Sequence, residues 1–245
     1  MSFMLFGRRF PPLLFIDKQK DRWAQAKNIV FRYEFFERRY VNRSKGLKMV
    51  RETWVLASHN AGKIKEMEQI LAPFGVTLKS AADLDLPEPE ETETTFRGNA
   101  ALKARAACEA TGLPCVADDS GLAVDALGGD PGIYSARWAG EPRDFQRAMQ
   151  RVDTELSRAG VPDRTARFVC TIALARPGSE VRFFEGEVVG EIVWPPRGAG
   201  GFGYDPIFQP LGHDITFGEM SADGKRQLSH RARALDAMIA AEFGS

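Results

Sequence analysis

The sequence has few cysteines and histidines and lacks any long apolar run. Its three cysteines, Cys108, Cys115 and Cys170, form no Cys-x-x-Cys pair, which argues against a disulfide framework and a cysteine-rich zinc site. The three histidines do not stand at zinc-ligand spacing either, so we expect any metal to be a hard, oxygen-bound ion such as Mg²⁺. No apolar run approaches the roughly 18 residues that cross a bilayer. We therefore expect a reduced, cytoplasmic protein without a membrane segment.

The chain has no net charge, but its charges are unevenly distributed. Residues 1–48 carry 12 Lys and Arg against 4 Asp and Glu, with 10 of the chain's aromatic residues, whereas residues 49–245 carry 21 basic against 29 acidic residues. A basic, aromatic segment is compatible with binding to nucleic acid or to a membrane surface. It lacks the features of signal and transit peptides, and the regular pattern of predicted elements begins just after Met49. We favour the interpretation that residues 1–48 are a non-native leader, that residues 49–245 form one domain, and that no nucleic acid is bound.

Strand and helix patterns alternate from residue 53 onward, which is typical of an α/β domain. The apolar stretch 53–58 predicts a buried strand, and the helical periodicity that follows it ends at Pro73 and Gly75. A second helix is predicted from about Phe96 to Thr111, followed by a strand over 114–118. A helix is predicted over 144–160, and two long antiparallel strands over 166–177 and 181–196. The last predicted helix covers 229–243, and Ser229 could N-cap it.

A short polar loop, Ser58–Lys63 (SHNAGK), joins the first strand to the first helix. Its small residues let backbone N–H groups and the helix N-terminus face an anion. Asn60 can donate from its amide, and Lys63 supplies a point charge. The spacing is not that of a P-loop, and a capped turn without a ligand explains the same residues.

The second helix carries Asn99 and Lys103 four residues apart, which places them on one helical face. An exposed polar face explains this spacing, and for Asn99 alone we adopt that interpretation. Glu90 and Glu91 lie in the acidic loop that leads to this helix. Solvated loop charge is the default interpretation of such a run.

Two adjacent carboxylates, Asp118 and Asp119, follow the apolar run 115–117 and precede Ser120 and Gly121. A single Asp at the end of a strand usually forms a turn. Two in succession repel each other, and their burial without a cation is costly. Mg²⁺ removes that cost, because it takes carboxylates, waters and substrate phosphates as ligands, and a neighbouring carboxylate can orient or deprotonate water. The pair is a candidate metal and catalytic site at the end of a strand.

The glycine-rich loop 198–205 contains a literal G-x-G-x-x-G. Pro206 blocks the helix that a dinucleotide fingerprint requires, so we reject that interpretation. The glycines would instead let the backbone approach a planar ligand, on which Phe202 or Tyr204 could stack. A flexible hairpin loop is the alternative.

Lys225, His230 and Arg231 gather at the start of the last helix, whose dipole also favours anions. A lone histidine is normally a surface or core residue, but this one is flanked by Ser229 and Arg231. Together with the preceding segments, these residues supply the cations, carboxylates and aromatic loop that a nucleotide polyphosphate with Mg²⁺ requires.

Five segments in this order resemble the inosine-triphosphate (dITP/XTP) pyrophosphatase family, and the resemblance covers about residues 53–243. The segments are 58–63, 90–104, 117–140, 200–208 and 225–235. The resemblance implies an α/β fold with a long mixed β-sheet flanked by helices, in two lobes around a central nucleotide-binding cleft. It also implies a homodimer that hydrolyses non-standard purine nucleoside triphosphates (dITP/ITP and XTP/dXTP) to the monophosphate and pyrophosphate.

The same resemblance implies roles for individual residues. Asp119 would accept a proton and contact Mg²⁺, Glu91 would be the other metal-binding acid, and Asp118 would support them. Residues expected to bind the triphosphate are Ser58, His59, Asn60, Ala61, Gly62, Lys63 and Lys103. Ser120 is expected to contact the substrate. Those expected at the base are Phe202, Gly203, Tyr204, Asp205, Lys225, His230 and Arg231. His59 stands where the family commonly has a glycine.

Two other interpretations compete with this one. A Maf-like nucleotide pyrophosphatase has a similar fold, but the segments 200–208 and 229–231 argue against it. A non-catalytic nucleotide sensor or a nucleic-acid-binding module would use the basic leader, but the intact Asp118–Asp119 pair favours catalysis.

Overall fold

A single mixed sheet organises the computed structural model, which describes residues 50–244. Within these residues it has six strands in the order β2-β1-β3-β4-β5-β6: β1 (Glu52–Leu56), β2 (Val76–Ser80), β3 (Cys115–Val124), β4 (Thr165–Ala175), β5 (Arg182–Ile192) and β6 (Phe208–Pro210). β1 is parallel to both of its neighbours, and the remaining pairs are antiparallel, as predicted for the two long strands β4 and β5. The predicted leader, residues 1–48, lies outside the described residues.

Five α-helices flank this sheet in the described part of the chain. They are α1 (Ala61–Leu71), α2 (Phe96–Thr111), α3 (Phe145–Ala159), α4 (Ala222–Leu228) and α5 (His230–Phe243). The predicted boundaries of α2 are confirmed, since the helix ends at Gly112 with a left-handed φ of 68°. Ser229 caps α5 as predicted, because its side chain accepts a hydrogen bond from the Ala232 N–H at 3.2 Å. No helix in residues 50–244 is long and apolar enough to span a membrane.

The strands bury both faces of the sheet, and alternate residues therefore enter different cores. Trp54 and Val116 pack with α1 and α5 on one face. Val55 and Ala117 pack with α2 on the other face. A further cluster around Phe168 joins the far ends of β3 and β4 to α3. The polar residues of β3 lie between these apolar clusters.

The predicted end of β3 at the aspartate pair is wrong. The strand continues to Val124 and pairs with β4 from Cys115↔Ala175 to Val124↔Ala166. Asp, Ser and Gly have low β propensity, but a continuous ladder with a long neighbouring strand overrides that preference. Asp118 and Asp119 therefore lie in the middle of a strand.

The opposite edge of β3 is open beside these aspartates. β1 pairs with β3 only at Val55↔Cys115 and Leu56↔Val116 and then leaves the sheet. The loop Ser58–Lys63 starts at this carboxyl end of β1. Ligands of α/β sheets bind at the carboxyl ends of parallel strands, so this position identifies the place to look for a site.

Candidate active site

The two adjacent aspartates point to opposite faces of the sheet, because successive side chains of a strand alternate. Asp118 contacts Lys63 of α1 and Arg231 of α5. Asp119 faces Lys103 of α2. Both residues are buried, with 6% and 8% of their surface exposed. The two carboxylates therefore have different neighbours and different electrostatic environments.

Asp118 is held by two cations. Lys63 Nζ donates to both of its carboxylate oxygens, at 2.8 and 2.9 Å, and Arg231 Nη2 donates to Oδ2 at 3.2 Å. Burial acts to raise the pKa of Asp118, but the charges of Lys63 and Arg231 outweigh it and hold the pKa below its usual range. Asp118 is therefore a permanently charged partner for these cations.

Asp119 has the opposite electrostatics. Burial raises its pKa to about 6, Lys103 opposes the shift, and Glu91 adds to it. Lys103 Nζ lies 2.8 Å from Glu91 Oε1 and 3.9 Å from Asp119 Oδ1, so one ammonium group links both acids. The Ser120 N–H donates to Asp119 Oδ1 at 3.0 Å. An acid with this pKa is suited to accept a proton near neutral pH.

Asn99 and Lys103 share one face of α2 as predicted, but the expectation that Asn99 is exposed is wrong. Asn99 is completely buried and Lys103 is 8% exposed, because this face of α2 packs onto β3 and β4. Asn99 Oδ1 accepts a hydrogen bond from the Glu93 N–H at 3.1 Å. Its Nδ2 atom and the Asp119 Oδ2 atom are both buried without a hydrogen-bond partner among the described residues.

The loop Ser58–Lys63 caps its own helix. Asn60 Oδ1 accepts hydrogen bonds from the N–H groups of Gly62, at 2.9 Å, and Lys63, at 3.2 Å. Ser58 Oγ accepts one from the Asn60 N–H. The His59 ring lies 3.0 Å from the Leu86 carbonyl oxygen, at the start of the acidic loop, and not against the other site residues. Lys63 is thus the member of this loop that reaches the buried carboxylates; Ala61 is the first residue of α1.

Asp205 organises the glycine-rich loop. Its Oδ2 atom accepts hydrogen bonds from the Phe202 N–H, at 2.7 Å, and from the half-buried Lys225 ammonium group. Burial raises the pKa of Asp205 and lowers that of Lys225, although each charge opposes the shift of the other. Gly201 has a φ of +75°, and a Cβ there would lie 2.0 Å from Asp205 Oδ2, so this turn requires glycine.

The two aromatic candidates of this loop differ in exposure. The Phe202 ring is 67% exposed, and Lys225 Nζ lies 4.0 Å from its centre. Tyr204 is buried, and its hydroxyl donates to the Ser135 carbonyl at 2.8 Å. Gly203, between them, has a φ of +66°. Phe202 is therefore the ring that is free to stack on a ligand.

His230 is a core residue beside the site. Its ring stacks on Phe168 with centres 5.1 Å apart, and its Nδ1 atom is buried without a partner in residues 50–244. Burial, reinforced by Arg231 and Lys225, lowers its pKa to about 3. The imidazole is therefore neutral at physiological pH.

Two further residues at the site were not predicted. Glu66, one turn after Lys63, lines a cavity with Lys63, Asp118 and Arg231. Arg137 Nη2 donates to the Glu91 carbonyl at 3.0 Å and lies 3.6 Å from its carboxylate. The i, i+3 spacing from Lys63 was the available signal for Glu66, whereas Arg137 carries no such local signal.

The carboxylates on the α2 side fit a magnesium ion. Within residues 50–244, no three His, Cys, Asp or Glu side chains form a metal cluster. Mg²⁺ does not need one, because it is usually held by one or two carboxylates together with waters and substrate phosphates. Glu91 and the unpartnered Oδ2 of Asp119 provide such a pair. Asp118 lies on the other face, where Lys63 and Arg231 occupy it.

The mixed sheet, with charged side chains gathered at the carboxyl end of one strand, defines an α/β protein with a candidate site whose chemistry suits a nucleotide polyphosphate. Comparison with known proteins agrees. The sequence model described as the Ham1 family matches residues 54–241, and the chain belongs to this family.

Similar proteins carry an activity in their names. A dITP/XTP pyrophosphatase of Rhizobium meliloti is 54% identical over 201 residues, which cover 76% of this chain and 94% of the relative. A HAM1 protein structure from Coxiella burnetii has a TM-score of 0.74 and 40% identity, with 76% of this chain and 96% of that one covered. A structure from Mycobacterium abscessus named nucleoside-triphosphatase or dITP/XTP pyrophosphatase has a TM-score of 0.66 and 43% identity, covering 76% and 98%.

Proposed function

We infer that this chain hydrolyses non-standard purine nucleoside triphosphates, dITP/ITP and XTP/dXTP, to the monophosphate and pyrophosphate. The observation that carries the inference is the position of Asp119. It lies at the open edge of β3, bears a raised pKa and shares Lys103 with Glu91. The names of the relatives support the same reaction.

We propose Mg²⁺ as the cofactor, held by Glu91 and Asp119 together with the phosphates of the substrate. When bound, the ion would neutralise the charge that builds up on the phosphates. The buried and unpartnered Oδ2 atom of Asp119 supports this assignment. Asp118 would act indirectly, by balancing the charges of Lys63 and Arg231.

Different side chains carry out proton transfer, phosphate stabilisation and substrate contact. Asp119 is ionised at neutral pH and accepts a proton from a water molecule, whose oxygen bonds to phosphorus as the α–β anhydride bond breaks. Lys63 and Lys103 approach the open edge of β3 from opposite faces, and both stabilise the phosphates and the leaving pyrophosphate. Ser120 is half-buried, donates from its hydroxyl to Asp118 Oδ2 and from its N–H to Asp119 Oδ1, and would contact the substrate.

The base is assigned to the glycine-rich loop. Phe202 presents an exposed ring for stacking, and Lys225 stands beside it with a donor for a keto oxygen at C6. Adenine has an amino group at that position, which would leave such a donor unpaired. Unpaired buried donors give strong discrimination between ligands.

Pyrophosphate release from dITP, XTP, dATP and dGTP with Mg²⁺ tests the proposal. We expect release from dITP and XTP at least roughly 100-fold faster than from dATP, whose C6 amino group leaves the donor unpaired, and its loss in Asp119→Asn. We also expect slower release from dGTP, which shares the C6 keto group and differs from dITP in its 2-amino group. Asp125→Asn is the matched control, because Asp125 pairs with Arg167 at the end of β3, away from the site. Release from all four nucleotides at similar rates, or from none, would contradict the inference.

We also propose that the protein is a cytoplasmic homodimer. The resemblance to the pyrophosphatase family supports both parts. The exposed apolar side chains Val189, within β5, and Leu211, directly after β6, support the dimer. Light scattering on the purified protein and fractionation of cells test the two parts separately.

A further inference from the structure

We propose that Asn99 is a positioning residue that fixes the catalytic carboxylate of Asp119 relative to the acidic loop bearing Glu91. The inference rests on the proposed function for its catalytic consequence. The link between Asn99 and Asp119 can be tested without any activity.

The first observation is the burial of an unpaired donor. Asn99 is completely buried in α2, and its Nδ2 atom has no hydrogen-bond partner in residues 50–244. Burying an amide without its hydrogen bonds is unfavourable, so a fold keeps one there only with a compensating role. A leucine or alanine at this helix position would pack onto β3 without that cost.

The second observation is what surrounds this amide. The Asp119 Oδ2 atom is also buried and unpartnered in the described structure. Lys103, one turn after Asn99 on the same face of α2, lies 3.9 Å from Asp119 Oδ1, so this face of the helix covers Asp119. Asn99 also acts to lower the pKa of Asp119. One donor and one acceptor, both unpaired among the described residues, thus lie at the same packed interface between α2 and β3.

The third observation is the other end of the amide. Asn99 Oδ1 accepts the Glu93 N–H at 3.1 Å, and this bond ties the acidic loop to α2. Lys103, one turn later on the same face, binds Glu91 at 2.8 Å. Asn99 therefore connects the loop that carries one proposed metal ligand to the strand that carries the other.

The substitution Asn99→Asp isolates the donor. It keeps the shape and the oxygen that accepts the Glu93 N–H, but replaces Nδ2 with a second oxygen facing Asp119. We expect a lower urea midpoint than wild type. In the Asp119→Asn background the same change should cost less or should stabilise, because the new amide at 119 can donate to the new carboxylate at 99.

A double-mutant cycle over these four proteins, measured in EDTA, gives the coupling. A second cycle that pairs Asn99→Asp with the remote Asp125→Asn is the control, and its effects should add. Additive effects in the first cycle as well would overturn the proposal. The cycle needs no substrate, so it remains decisive even if wild type releases no pyrophosphate and the proposed function fails.

Activity and metal binding provide the other readouts. If wild type is active, we expect Asn99→Asp to lower kcat by roughly tenfold or more, with the KM for dITP nearly unchanged, because Asn99 acts on Asp119 and does not contact the substrate. Asn99→Ala also removes the hydrogen bond that holds the acidic loop to α2. The affinity of this variant for Mn²⁺ alone, measured by titration calorimetry, should therefore fall by roughly tenfold. A folded Asn99→Ala protein with wild-type kcat and Mn²⁺ affinity would contradict the role.

Discussion

At the scale of single residues, the charges that surround each carboxylate decide what the aspartate pair does. Asp118 forms buried ion pairs with Lys63 and Arg231, whereas Asp119 has a raised pKa and one distant ammonium partner. Adjacent positions on a strand therefore provide a structural anion and a proton acceptor. Separating the pKa values of two acids in this way is a means of assigning them different roles.

The two aspartates should differ in their contribution to stability. Asp118→Asn removes the anion that the partly buried Lys63 and Arg231 share, so we expect the free energy of unfolding to fall by about 1.5–3 kcal/mol. Asp119→Asn removes a charge that the folded state disfavours above pH 6, so at pH 8 the free energy of unfolding should not fall. Urea unfolding of both variants in EDTA at pH 8 measures this, and equal losses would contradict the assignment of the charges.

His230 predicts how stability depends on pH. Its pKa is about 3 in the folded protein, against an ordinary value of 6.5, so between these values the unfolded chain binds the extra proton. The stabilisation is present above pH 6.5 and is lost as the pH falls towards 3, by at most about 1.4 kcal/mol per pH unit. We expect His230→Phe to show a shallower fall of unfolding free energy between pH 6.5 and 4.5 than wild type. His213→Phe, at an exposed turn, is the control and should follow the wild-type slope.

Which residues are buried was harder to predict than which residues share a face. The four-residue spacing correctly placed Asn99 and Lys103 together on α2. The spacing of residues along a helix does not indicate whether a polar face is exposed to solvent or packs against a sheet. Two polar residues on one helical face are usually exposed. The packing of α2 against β3, which is a tertiary contact, decided the outcome.

At the scale of elements, β3 shows why local sequence signals can end a strand too early. Asp118, Asp119, Ser120 and Gly121 are residue types that favour turns, and the strand was predicted to end there. The ten-residue ladder with β4 comes from a partner about fifty residues later in the chain. The alternation of the two carboxylates between faces follows from that ladder and could not be read from their adjacency.

The glycine-rich loop gives a prediction at the same scale. Gly201→Ala places a Cβ 2.0 Å from Asp205 Oδ2 and should displace the loop that presents Phe202, so we expect a higher KM for dITP. Gly212→Ala is the matched control, with a φ of +82° and no atom within 4 Å of the added Cβ. Both variants should lose about 1–2 kcal/mol from left-handed strain, but only the first should change KM. Steady-state kinetics and urea unfolding separate the two effects, and equal KM values would contradict the role of the loop.

At the scale of the whole molecule, the sequence predicted which segments carry candidate site residues but not how those residues are arranged. The chemistry of segments far apart in the chain predicted a site for a nucleotide polyphosphate, and the resemblance of their order to a known family predicted an α/β nucleotide hydrolase. The distances depend on tertiary contacts. His59, for example, contacts the Leu86 carbonyl, and Lys63 of α1 forms hydrogen bonds with Asp118 of β3.

The interpretation of residues 1–48 as a leader predicts that they can be removed. All six strands of the described sheet lie within residues 52–210, and the family match begins at residue 54. A chain of residues 49–245 should therefore keep the melting temperature and the kcat/KM for dITP of the full chain. A chain of residues 58–245 is the control, because it lacks β1, whose Trp54, Val55 and Leu56 are almost completely buried; we expect it not to fold. A substantial loss of stability or of kcat/KM on removing only residues 1–48 would mean that the leader belongs to the folded enzyme.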